Sequence, residues 1–191
     1  MSFWSDAKLE QKRGYRWLVT MGTMHQWIAK SVTKPSITIS ETSHKFINHT
    51  FWYPGRVEWN SIDMTLVDPV TQDAAMTLML LVEKAGYEVP EKIKTDGWKT
   101  ISKLKGVEAV NKYLIQQIDS EGNAIETWTL HNPWIKSVSF GNLSYDDDSI
   151  LSISLGIRYD WAYLATKNGP MTSMGVNGNK FPKGSPRAQL Y

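Results

Sequence analysis

Cysteine is absent from the 191 residues, which excludes disulfides, zinc–thiolate sites and cysteine nucleophiles. No apolar run approaches the roughly 18 residues that a membrane helix needs. The N-terminus lacks the basic-then-apolar shape of a signal peptide. An excess of either charge is missing too: 21 basic residues face 19 acidic ones, so nothing pulls the whole chain toward nucleic acid or an anionic membrane. Catalytic motifs are missing as well, with no GxGxxG, no P-loop and no nucleophile elbow. The four histidines, His25, His44, His49 and His131, fall on different predicted elements. The spacing of His44 and His49 puts them on no shared helix or strand face, so no metal site is assigned. Asp146-Asp147-Asp148 lacks the spaced oxygen ligands and glycine of a calcium loop and reads as a charged hairpin tip. No catalytic, cofactor-binding or metal-ligating residue is assigned, and no cofactor is expected.

Aromatic residues are abundant, with nine tryptophans and eight tyrosines. They fill either a large core or subunit contacts, where both are enriched. The strongest pattern is Leu151 to Tyr163. Every odd position is large and apolar and every even one small or polar, the period of a strand with one buried face. Thirteen residues would span roughly 43 Å, longer than strands usually run. The strand is therefore expected to bend at Gly156 or to pair beyond its own domain. An edge of that length needs a partner.

In chain order, residues 1–14 form an arm with an apolar Phe3-Trp4 pair, and one or two helical turns are expected after Ser5. Tyr15–Met21 and Trp27–Val32 read as strands around a turn near Gly22, and Pro35 breaks the second before Ile37. Residues 40–56 read as an aromatic-rich loop outside the core, carrying Phe46, Ile47, Phe51, Trp52 and Tyr53 and closing on a Pro54-Gly55 turn. Val57–Val67 is a strand whose apolar set changes parity at Asn60-Ser61, as a β-bulge would make it do. Asp68 and Pro69 open the main helix as cap and first residue, and Gly86 closes it. Its core stripe is Ala75, Leu78, Met79 and Val82, widened by Met76, Leu80 and Leu81. Residues 87–110 read as a lysine-rich connector with room for one short helix. Lys112–Ile118 and Ala124–His131 make a hairpin, and Trp134–Phe140 a further strand. After Leu164 the periodicity stops. The last stretch carries Lys167, Lys180, Lys183 and Arg187 with no acid, leaving 17 basic and 19 acidic residues before it. By itself it is expected to be extended or disordered.

This order of elements resembles the tube proteins of contractile phage tails. Residues 125–161 carry the resemblance most fully: a Trp-x-Leu strand, the Asn132-Pro133-Trp134 break, a strand, the acidic turn Asp146–Asp148 and a closing strand. Lys12-Arg13-Gly14-Tyr15, the Pro35 break, the 43–56 excursion and the capped helix sit in the same order. The resemblance covers roughly residues 8–164. It implies a mainly β domain over 15–164 with one principal helix, a sandwich or barrel-like tail-tube fold. It implies hexameric rings stacked into a hollow tube in a virion tail, through which DNA passes. A sheath, a baseplate and a tail terminator would be partners, and the protein would be structural, without catalysis or membrane insertion. It also gives Phe3, Trp4, Phe46, Phe51, Trp52 and Tyr53 a place at contacts between rings. Lys167, Lys180 and Arg187 would lie along a neighbour. The alternatives are the tube of an injection or secretion machine, a baseplate protein of the same fold, or a small β-barrel binding a ligand or nucleic acid. The last would need a basic or aromatic stripe that the even face of 151–163 does not supply.

Overall fold

The computed structural model describes residues 10–22, 24, 26–71, 73–88, 100–167 and 169–170. The expectations for Phe3, Trp4, the N-terminal turns, His25, the part of the lysine-rich connector between 89 and 99, Lys180, Lys183 and Arg187 lie outside them. Two compact units are present. Among the described residues, one comprises those within 10–19, 114–129 and 163–170, the other those within 20–113 and 130–162. The architecture is mainly β, as expected, with three open sheets and two helices among the described residues.

In chain order the strands are β1 (Trp17–Met21), β2 (Ala29–Val32), β3 (Ile37–Phe46), β4 (His49–Trp59) and β5 (Ile62–Val67). Then come helices α1 (Ala74–Lys84) and α2 (Lys103–Val110). The remaining strands are β6 (Tyr113–Ile118), β7 (Ala124–His131), β8 (Trp134–Ser139), β9 (Ser152–Arg158), β10 (Trp161–Thr166) and β11 (Gly169–Pro170). One sheet has the order β1-β6-β7-β10-β11, a second β2-β5-β9-β8, and β3 and β4 stand alone as a pair.

The long alternating stretch is two strands, not one. β9 ends at Arg158 and β10 begins at Trp161, in different sheets. Alternation survives through Tyr159 because Ile153, Leu155, Ile157 and Tyr159 are all buried. Past the break the parity flips and Ala162 is the buried residue. Asp160 holds the break: its backbone N–H donates to the His131 carbonyl, 3.1 Å away. β9 runs through Gly156 without a break. The glycine sits opposite Asp63 and against Ser137, where an added Cβ would come within 2.4 Å of the serine Oγ. Nor is β9 an edge, since β5 and β8 pair with it on either side.

The core of the larger unit follows from that pairing. Ile62, Met64 and Leu66 of β5 lie opposite Ile157, Leu155 and Ile153 of β9, and all six are essentially inaccessible. Directly opposed residues share a face, so these six form one apolar layer, which Leu78, Val110 and Tyr113 join as fully buried side chains. Tyr113 donates its hydroxyl to Met64 Sδ at 3.4 Å, and burial pushes its phenol well above the ordinary tyrosine range.

The parity change at Asn60-Ser61 is likewise a passage between sheets, from β4 to β5, and not a bulge within one strand. Helix α1 starts five residues later than Pro69. Asp73 caps it, accepting from the Met76 amide at 2.7 Å, while Asp68 accepts from the Ala74 amide at 3.0 Å. Asp68 thus caps from outside the helix, and Pro69 belongs to the loop. Gly86, at φ 112°, ends it as expected. Its amide returns to the Glu83 carbonyl and that of Tyr87 to Val82, satisfying carbonyls that would otherwise be free. The core stripe is narrower than expected, with Ala74 and Leu78 buried but Met76, Met79 and Leu80 exposed. The connector carries its one short helix as α2, and the β6–β7 hairpin turns through Asp119–Asn123 as read.

The smaller unit is held by ion pairs as well as by apolar packing. Glu126, buried, receives Lys12 and the Trp128 indole N–H. Arg16 pairs with Glu10, and Lys167 reaches Asp119 at 2.9 Å.

Candidate functional site

The aromatic stretch 40–56 is a hairpin, not a loop. β3 and β4 pair from Ile37↔Trp59 at the root to Phe46↔His49 at the end, so the chain reverses through Ile47-Asn48. Pro54-Gly55 makes no turn. It lies inside β4 at a bulge, where β3 advances two residues from Ile39 to Glu41 while β4 advances three. Ser40 stabilises that bulge by accepting from the Arg56 amide at 2.8 Å. Gly55 is needed there, because a Cβ would meet the Ser40 Oγ at 2.3 Å. The root is tied by Asn60, whose backbone N–H donates to the Ser36 carbonyl and whose side-chain amide donates to the Ser36 and Thr38 hydroxyls.

Apart from Trp59, every residue of the two strands is exposed. The register sorts the expected contact residues onto two faces. Phe46, Phe51 and Tyr53 share one with Thr42, His44 and His49, while Trp52 stands on the other beside Ser43. His44 and His49 therefore do share a face, contrary to the expectation from their spacing, since they lie on opposite strands two positions apart in register. Exposures of 50% for Phe51, 63% for Trp52 and 57% for Tyr53 show that these side chains do not complete the core of their own chain. Ile47 at the reversal, read with the excursion, is exposed as well, and Ile37, Ile39 and Val57 near the root add exposed apolar surface that the sequence reading assigned to strands. Ile47 was legible only in part: an Ile-Asn pair is a weak turn signal beside the usual Asn-Gly. Lys167 lies in the other unit, hydrogen-bonded to Asp119 of the same chain.

The larger unit, which carries the hairpin, contains a groove of about 700 Å³ beside the hairpin root. Trp59, Val82, Ile101, Val110, Trp134 and Tyr159 contribute its apolar walls. Trp59 and Tyr159 meet at a tilt, with ring centroids 5.9 Å apart. The Tyr159 hydroxyl is buried and has no partner at full hydrogen-bond geometry among the described residues. Burial raises its pKa, partly offset by the backbone of Ser36. At the rim Lys103 holds Asp160 at 2.7 Å and Asn132 adds a second bond to it. Both keep the carboxyl below its ordinary range, Lys103 the more strongly. The Lys103–Asp160 pair is a structural tie at the rim of the groove, which Glu58 and Arg158 also line.

No protein-family profile matches the sequence, and no curated protein matches it. Solved structures do. A chain of the extended sheath–tube complex of an extracellular contractile injection system superposes with a TM-score of 0.59 at 14% identity, covering 87% of this chain and 99% of that one. A chain of the anti-feeding prophage cap gives 0.58 at 16% identity, with 87% and 99% covered. A chain of the anti-feeding prophage baseplate gives 0.58 at 15%, with 83% and 97% covered. The fold is thus a tail-tube-like one, shared with chains of contractile injection machines.

Proposed function

We propose that this chain is a structural subunit of a contractile tail or injection machine, forming hexameric rings that stack into a hollow tube. The β3–β4 hairpin carries the proposal. It is a two-stranded arm, exposed on both faces and rich in aromatic side chains, on a fold found in a sheath–tube complex. A soluble monomer leaves such surface in water at a cost, and burial against a neighbouring copy removes that cost. The partners expected of a tube are a surrounding sheath, a baseplate and a terminator. In a phage tail the lumen would pass genome DNA, and a channel that lets DNA slide must lack tight phosphate contacts. The role needs no catalysis.

A second reading is a cap or baseplate protein of the same fold, supported by the equally good superposition on cap and baseplate chains. Negative-stain microscopy of the purified protein near about 100 µM tests both. Stacked tubes are expected for a tube subunit and single rings for a cap or baseplate subunit. A 21.8 kDa monomer that never assembles would refute the proposal.

A further inference from the structure

The loop 140–151 joins β8, an outer strand of its sheet, to its neighbour β9. Paired antiparallel strands are usually joined by about two to five residues, so the longer excursion here calls for a use. It turns large apolar side chains outward: Leu143 is 89% exposed, Ile150 is 71% exposed and Tyr145 is fully exposed. Its backbone is nevertheless held. Gly141, at φ 84°, lies so close to β9 that a Cβ would meet the Ser152 carbonyl at 2.8 Å, and Asp147 accepts the Ser149 amide at 2.9 Å. The loop borders a trough of about 690 Å³ with Leu143, Tyr145, Ile150 and Leu151 in its walls. Asp147 and Lys30 are the charged residues that line it, and Lys30 is turned to the Ser152 hydroxyl. Asp146 and Asp148 flank Asp147 in the chain and the loop has no base of its own, so acid outweighs base even with Lys30 counted.

We propose that the segment 171–191 of one copy docks on the 140–151 loop of a second copy. That segment lies outside the described residues, and its sequence supplies what the loop lacks. It carries Lys180, Lys183 and Arg187 with no acid, and Phe181-Pro182 stands between the two lysines. A phenyl ring with a cation on either side matches apolar walls beside three aspartates, and opposite charges steer such an encounter. Pro182 and Pro186 favour extended backbone, which lowers the cost of ordering a chain along a trough. Fully extended, 171–191 spans roughly 70 Å, so reach does not limit it. The proposal rests on the tube reading, in which every subunit has a neighbour to hold. Segment and loop are different surfaces, so the contact repeats from copy to copy. It would tie neighbours independently of the β3–β4 hairpin.

The absence of native cysteine lets disulfide trapping read the contact. Copies carrying Tyr145→Cys are mixed with copies carrying Phe181→Cys, assembled and mildly oxidised; the mixed dimer is expected to exceed its statistical share. As a decoy, Leu104→Cys on α2, 68% exposed and outside the trough, should give no such excess with Phe181→Cys. The double variant Tyr145→Cys/Phe181→Cys should run as a reducible ladder, whereas a cyclised monomer would place the segment on its own chain and overturn the proposal. Charge reversal supplies an independent readout. Asp146→Lys/Asp148→Lys, which spares the Asp147 turn, should raise the concentration needed for assembly about tenfold and leave the melting temperature unchanged. Lys180→Glu/Lys183→Glu should do the same, and the two reversals together should restore the parent threshold. Tubes that form without the mixed-disulfide excess, or reversals that do not rescue one another, would overturn the docking and leave the tube reading standing. If parent and variants alike never assemble, both fall together.

Discussion

Replacing Trp52 with alanine separates folding from assembly. The side chain is 63% exposed, so of the roughly 200 Å² that a tryptophan can bury about 130 Å² is left for a partner. At about 25 cal/mol per Å² that surface is worth roughly 3 kcal/mol. Ordering the side chain at a contact takes back about 1 kcal/mol. The net of about 2 kcal/mol corresponds to a rise of roughly 30-fold in the concentration at which rings stack. The isolated chain loses far less. Trp52 lies opposite Ser43 in a strand with no core behind it, and a cross-strand contact of that kind contributes up to about 1 kcal/mol. That is a fall of about 2–4 °C in Tm. Paired thermal melts and sedimentation of a concentration series measure both quantities on one preparation. A Tm drop beyond about 8 °C, or an unchanged assembly threshold, would refute the reasoning.

Three further outcomes are expected. Gly156→Ala should destabilise by about 1 kcal/mol, because its Cβ meets the Ser137 hydroxyl at 2.4 Å; adding Ser137→Ala should restore stability, and additive losses would show that the clash is not the cause. Asp73→Ala and Asp68→Ala should each cost about 1 kcal/mol through lost capping of α1, read as a fall of about 2–4 °C in Tm; a silent Asp68→Ala would show that capping from outside the helix contributes nothing. The Lys167 hydrogen bond, helped by backbone amides, holds the Asp119 carboxyl at about 2. A depressed carboxylate stabilises fully above its unfolded value of about 3.9, and this is lost as pH falls toward 2. Carboxyl NMR should find the low midpoint, and Lys167→Met should raise it.

The sequence by itself determined what depends on neighbours along the chain. Period-two alternation marked the strands, and Asp119–Asn123 marked a turn through its own backbone demands. Gly86 marked a helix end because the left-handed conformation there favours glycine. The aromatic density of 46–53 likewise set that segment apart from the core before any pairing was known. What only the tertiary structure decided depends on which strand lies opposite which. Leu151–Tyr163 alternates without interruption, yet it divides at Asp160 because its two halves pair in different sheets. Alternation reports a buried face and is silent on which sheet buries it. Pro54-Gly55 has the composition of a turn but lies at a bulge, since Ser40 across the hairpin accepts the amide that a turn would have left free. His44 and His49 are five apart in sequence and share a face only because the chain reverses at Ile47-Asn48. The outward Met76, Met79 and Leu80 of α1 carry the same lesson. Periodicity found an apolar helix, but which of its sides meets the core was set by what packs against it, α2 among them.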